Sequence, residues 1–301
     1  MYVQNFINYL QKVRRYSQRT VKSYAENLAM FKMWLDKNNI TSVTSRDIAN
    51  YVVFMMETKR LQPTSVNQHL SSLRSYYDYC CRFENVCCNP AAGVRDVRTP
   101  KRLPMFITEE RMNHLIDNLL PSTDFKRMRT RIIILIFYHC GLRCDELTNL
   151  HDNSINLTND TMKVVGKGNK ERIIPFGKEL HHEIVHYLRL RAKEVCTKCS
   201  QFIQTIFGTP CNSFQIRRIT KIALLRIVPA PLAHPHILRH TFATVLMNHG
   251  AMIDYVRLLM GHASADTTAI YQHVSIDYLQ NSYNNIFKFK TYKPTANAVG
   301  L

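Results

Sequence analysis

The sequence contains no apolar run long enough to cross a membrane: the longest, Ile132 to Tyr138, stops far short of the roughly 20 residues a spanning helix needs. Met1-Tyr2-Val3-Gln4-Asn5 lacks the basic stretch and apolar continuation of a secretory signal, so a soluble, cytoplasmic protein is expected, with no membrane partner. Internal repeats and low-complexity tracts are missing too, which argues against solenoids and fibrous arrays. Acidic residues are scarce, 22 Asp plus Glu against 40 Lys plus Arg, for a formal charge of +18. That surplus favours polyanionic partners, nucleic acid first and membrane surfaces or other acidic partners after it.

Cysteine is not scarce, but nine is an odd number, and in an intracellular chain of 301 residues it implies free thiols rather than a disulfide framework. Cys80, Cys81, Cys87 and Cys88 stand around the end of a helical pattern and read as small packing residues. Cys196-Thr-Lys-Cys199, with Cys211 beyond it, has the form in which a zinc site begins. A second ligand pair at fitting spacing is missing, so neither metal nor cofactor is expected.

At 301 residues and 46% hydrophobic, the chain can bury real cores and is long enough for two domains. From Val21 on, Tyr24, Leu28, Phe31 and Leu35 fall at spacings of three and four, one face of an amphipathic helix. Thr44-Ser-Arg-Asp47 has the form of a capping box and opens a second helix. A third follows Pro63, with Val66, Leu70, Leu73 and Tyr77 inward. Asn89-Pro-Ala-Ala-Gly93 ends this helical unit, and Arg98-Thr-Pro-Lys-Arg-Leu-Pro104 suits an extended, basic connector. Beyond it, Thr108 with Glu109 and Glu110 starts a helix, and Ile132 to Tyr138 reads as a central buried one. The basic residues just before it, Lys126, Arg127, Arg129 and Arg131, fit a solvated turn and a DNA contact equally well. Met162–Val165 and Glu171–Ile174 predict a hairpin around Gly166-Lys-Gly-Asn-Lys170. Helical spacing then returns over 178–193, 213–227, 236–249 and 253–260.

The candidate site is an ordered set of polar residues: Arg143, Lys167, His236, Arg239, His262 and Tyr271. Taken singly, Arg143 reads as a surface arginine and Tyr271 as core packing. His236 and Arg239, three apart, share one helix face and can address one anion. His240 lies off that face and reads as structural. The segments Gly141-Leu-Arg-Cys-Asp-Glu-Leu147, Gly166-Lys-Gly-Asn-Lys-Glu-Arg172, His236-Ile-Leu-Arg-His-Thr-Phe-Ala-Thr244 and Leu259-Met-Gly-His-Ala-Ser264, the last running on to Tyr271, resemble the catalytic domain of the tyrosine recombinase (phage integrase) family, in particular its short Xer-like members. Ile237 departs from the charged or polar residue many relatives carry there.

The resemblance implies a mainly α fold: a helical, SAM-like core-binding domain on DNA over 1–97, a basic linker over 98–104, and a mixed α/β catalytic domain over 105–301, mostly helical with a small antiparallel sheet and a C-terminal tail. It implies a site-specific recombinase that breaks and rejoins DNA through a 3′-phosphotyrosine, without metal or ATP, for integration, excision or resolution. Arg143 and Arg239 would hold the phosphate with His236 and His262, Glu146 would orient Arg143, Lys167 would act as general acid and Tyr271 as nucleophile. The implied partners are double-stranded DNA at a specific recombination site and a homo-tetramer at synapsis; an accessory DNA-bending protein or partner recombinase is left open. Two other readings stand beside it, a type IB topoisomerase-like enzyme and a non-catalytic DNA-binding regulator.

Overall fold

A computed structural model describes residues 2–99, 105–119, 122–166, 169–196 and 198–261, and the chain parts into two compact units between residues 102 and 103. The first unit holds four helices: α1 (Val3–Lys12), α2 (Gln18–Lys37), α3 (Ser45–Glu57) and α4 (Pro63–Phe83). Each start has a chemical cause. Ser17 accepts a bond from the Thr20 amide at 3.2 Å ahead of α2. Thr44 and Asp47 exchange backbone and side-chain bonds as a capping box ahead of α3. Pro63 occupies the first position of α4, where its missing N–H costs nothing. Val21, Leu28, Phe31 and Leu35 are buried along α2, as their spacing requires.

Helix α1 is not evident from the spacing, because only Phe6 and Leu10 of it are buried, a single pair four apart. Tertiary contact supplies what periodicity does not: the Phe6 ring lies 5.5 Å from Tyr76 and 5.4 Å from Tyr79, pairs that contribute about 0.5–1.5 kcal/mol each beyond area burial. The chain leaves this unit fastened to α4. Arg74 donates to the Val94 carbonyl at 2.6 Å and pairs with Asp96 at 2.8 Å, and Asn67 exchanges two bonds with the Val97 backbone, at 2.9 and 2.8 Å.

The second unit is built around α6 (Phe125–Cys140), whose residues from Arg131 onward are all buried. Packed against it are α8 (Lys178–Glu194), α9 (Ser213–Leu224) and α10 (Pro235–Asn248). The remaining helices are α5 (Glu109–Asn118), the short α7 (Cys144–Thr148) and α11 (Ile253–Leu259), the last packed on α10 and on the sheet. The sheet is antiparallel, in the order β1 (Ile155–Asn156), β2 (Thr161–Val165), β3 (Glu171–Pro175), with Met162 opposite Ile174 and Val164 opposite Arg172. A mainly helical fold with a small antiparallel sheet is therefore what the chain adopts.

The basic residues ahead of the apolar run belong to α6 itself, not to a turn, and they divide. Lys126 and Arg127 are exposed, but Arg131 is buried, gripping Glu183 through two bonds of 2.9 and 2.6 Å and capping the Ile116 and Leu119 carbonyls at the end of α5. Arg129 donates to the Gln204 carbonyl and lies over the Phe125 ring. Neither of these two arginines is a solvated charge or a free DNA contact. All nine cysteines are free thiols, and Cys87 and Cys88 are exposed rather than packed. Among the described residues no group of three metal-ligating side chains is gathered; Cys199 donates to the Gly208 carbonyl and Cys211 is buried against Arg129.

Candidate active site

The site begins where α6 ends. Gly141 terminates the helix in the left-handed conformation at φ 58°, and a Cβ there would lie 2.3 Å from the Phe242 ring, so glycine is demanded by both backbone and space. Two residues later Arg143 opens α7, and the third residue of that helix, Glu146, turns back on it. Glu146 accepts from the Arg143 amide at 2.8 Å and from Arg143 Nη1 at 2.9 Å. The other side of the same carboxylate is met by Arg172 on β3, with Nη1 and Nη2 each donating at 2.8 Å.

Glu146 is thus a buried carboxylate receiving four bonds from two arginines. Burial raises its pKa, but Arg172 and then Arg143 outweigh that and hold it down at about 2. It is a fixed anion, and it leaves Arg143 oriented with its side chain 34% exposed.

Arg239 comes to the same place from α10. Its first turn starts at Pro235, so His236 and Arg239 lie one turn apart, with Arg239 only 4% exposed. Arg239 Nη1 donates to the Gly141 carbonyl at 2.5 Å and Nη2 to the Met260 carbonyl. Burial first, then the nearby Arg143, bring its pKa down to about 10, still charged at neutral pH. His236 is exposed, with its ring 6.4 Å from that of His234. Partial burial, then His234 and Arg239, lower its pKa, so its imidazole is neutral at neutral pH. His240, read from the sequence as structural, is exposed as well.

Three consecutive carbonyls at the end of α11 complete the arrangement. Leu259 accepts from Arg172 Nε at 2.8 Å, Met260 from Arg239, and Gly261 from Arg143 Nη2 at 3.4 Å. The negative end of a helix suits cations, and Gly261, at φ 63°, has no room for a side chain: a Cβ would stand 3.1 Å from the Arg172 guanidinium. Two guanidiniums held this way, beside a neutral imidazole, can bind an anion and stabilise charge that builds on it.

Of the six candidate residues, the structure brings Arg143 and Arg239 onto adjoining carbonyls and sets His236 one helical turn from Arg239. Lys167, His262 and Tyr271 lie outside the described residues, although Gly166 and Gly261 immediately precede the first two. Arg172 was not singled out from the sequence. The available signal was strand alternation: Arg172 and Ile174 point inward on β3, and a cation at an inward position needs a buried anion.

The Phage integrase family profile matches residues 105–277, and that of the Phage integrase, N-terminal SAM-like domain matches residues 3–83. Tyrosine recombinase XerC of Staphylococcus haemolyticus is 33% identical over 282 residues, 93% of this chain and 94% of the relative. XerC of Staphylococcus carnosus is 34% identical over 286 residues, 94% of this chain and 96% of the relative. Among solved structures, the fold is similar to that of the XerH site-specific recombinase bound to palindromic difH substrate (TM-score 0.68, 20% identity, 90% of this chain and 81% of that one). It is also similar to the Tn1549 transposon integrase in complex with transposon right end DNA (TM-score 0.68, 19% identity, 95% and 99%).

Proposed function

The chain belongs to the phage integrase family and is a site-specific tyrosine recombinase, a DNA breaking-rejoining enzyme; from that premise we propose that Arg143, Lys167, His236, Arg239, His262 and Tyr271 carry its chemistry. What supports the set is one observation: the Arg143 and Arg239 guanidiniums rest on adjoining carbonyls, Gly261 and Met260, with His236 one turn from Arg239. A phosphodiester repels nucleophiles by its own charge, and attack adds more to its non-bridging oxygens. Two fixed cations offset that charge.

In the proposed step the Tyr271 oxygen forms a bond to phosphorus and the bond from phosphorus to the 5′ oxygen breaks. A free tyrosine, with a pKa near 10, is ionised only about one part in a thousand at neutral pH, so the cations must favour its phenolate. The neutral His236 hydrogen-bonds the phosphate, His262 does the same, and Lys167 protonates the departing 5′ oxygen. General acid catalysis of that kind contributes roughly 10²- to 10⁴-fold. The phosphotyrosine conserves the energy of the broken bond, so a 5′ hydroxyl of a partner duplex reverses the step without ATP.

The partner we propose is double-stranded DNA at a specific recombination site, held by a helical DNA-binding domain over 1–97 and the catalytic domain over 105–301, joined by a basic linker at 98–104. Four copies would meet at synapsis, in the cytoplasm, where the DNA is. The test is a denaturing gel for covalent protein–DNA adducts, using nicked duplexes tiled across the DNA flanking the protein's own gene. Wild type is expected to form an adduct and Tyr271→Phe none. An adduct from both would remove Tyr271 from the role, and supercoil relaxation without strand exchange would favour a topoisomerase.

A further inference from the structure

We propose that Arg172 is a positioning residue for strand exchange: its guanidinium fastens Glu146, and through Glu146 the phosphate-holding Arg143, to the end of α11. It has this role only if Arg143 holds the phosphate as set out above. Arg172 is buried, and its guanidinium is engaged by Glu146 and the Leu259 carbonyl. Its planar fork fits the Glu146 carboxylate bidentately while Nε takes the Leu259 carbonyl, and the same guanidinium packs on Gly261. One side chain from β3 therefore ties that strand to the start of α7 and to the end of α11, just before His262.

The physical consequence concerns charge as much as place. Glu146 faces three cations, Arg143, Arg172 and Arg239. While Arg172 occupies both carboxylate oxygens, Arg143 bonds only one of them through Nη1 and keeps its remaining donors for other partners. Without Arg172 the buried carboxylate has Arg143 as its sole direct partner, and the strongest geometry open to the pair is a bidentate one. That draws Arg143 off the phosphate and cancels its charge. A lysine cannot substitute, since one ammonium does not span two carboxylate oxygens and a carbonyl in a fixed plane.

The experiment measures the rate of adduct formation on nicked duplexes that wild type cleaves, for Arg172→Met, Arg172→Lys and the double variant Arg172→Met with Glu146→Gln. Arg172→Met is expected to slow cleavage roughly 10²-fold, the scale of a small misplacement of a reacting group, with duplex binding unchanged. Arg172→Lys should recover little. The double variant should cleave faster than Arg172→Met alone, because removing the carboxylate charge releases Arg143. Cleavage by Arg172→Met should also gain a pH dependence as Glu146 titrates at less acidic pH, and the double variant should lose it. Loss of fold would show neither the recovery nor the altered profile, and if Arg172→Met does not fold, Arg172→Lys carries the comparison with its own Glu146→Gln partner. Wild-type rates in the single variants, or a double variant no faster than the single, would overturn the role of Arg172. Absence of any wild-type adduct on duplexes that it binds would instead refute the site itself.

Discussion

At the scale of residues, the weight falls on Glu146, a buried carboxylate held by two arginines. Its pKa lies at about 2 in the fold against an ordinary 4.5, so the folded form is favoured by the ionised state. That contribution is fully present above pH 4.5 and disappears as pH falls toward 2; a shift of this size corresponds to about 3 kcal/mol. Denaturant unfolding followed across this range should show wild type losing roughly that much more stability than Glu146→Gln, and parallel curves would contradict the account. Glu146 was legible as an orienting group for Arg143, because both lie within one helical turn. Arg172 was not: a sequence separation of 26 from Glu146 gives no sign that they meet.

At the scale of elements, periodicity carried most of the architecture where a face or a whole circumference is apolar. The spacing in α2, the capping box of α3 and the run in α6 each place their helix. Alternation around a glycine-containing turn places β2 and β3. It failed where an element is held from outside, as in α1, fixed by rings on α4. It was also ambiguous where charge is spent internally. Arg131 reads as one more basic residue ahead of the apolar run 132–138, yet from within α6 it reaches Glu183 of α8 and the end of α5. Arg131→Met should cost about 3 kcal/mol, the lower end for a broken buried pair, since it strands a partly buried carboxylate and two carbonyls. Thermal melting would reveal it, and a change within 1 kcal/mol, about the size of an exposed ion pair, would mean that this pairing is dispensable.

At the scale of the whole molecule, the +18 charge predicts behaviour that no single contact does. DNA affinity should fall steeply with salt, by about 10³- to 10⁵-fold between 50 and 200 mM if six to ten phosphates are engaged. Fluorescence anisotropy on duplex of arbitrary sequence measures this, and an affinity indifferent to salt would remove the electrostatic basis of binding. Composition announced the partner, and the four segments from Gly141 to Ser264 announced the family. Target sequence was never legible, because base-edge readout depends on groove docking that no motif here encodes.

The three carbonyls that end α11 have a consequence for how this protein tolerates change over generations. Because Leu259, Met260 and Gly261 serve the arginines through main-chain oxygens, the information at the first two positions is not written in their side chains. Their residues are free to drift among apolar types, while only Gly261, short of room for a Cβ, is pinned. Side-chain scanning would therefore register the packing of Leu259 and the tight space at Gly261, but not the carbonyl contacts. Replacing the Met260–Gly261 amide by an ester alters no side chain, yet it weakens the Met260 carbonyl as an acceptor and removes the Gly261 N–H bond to the Leu258 carbonyl, and it would expose how much of the recombinase is held by atoms that every amino acid shares.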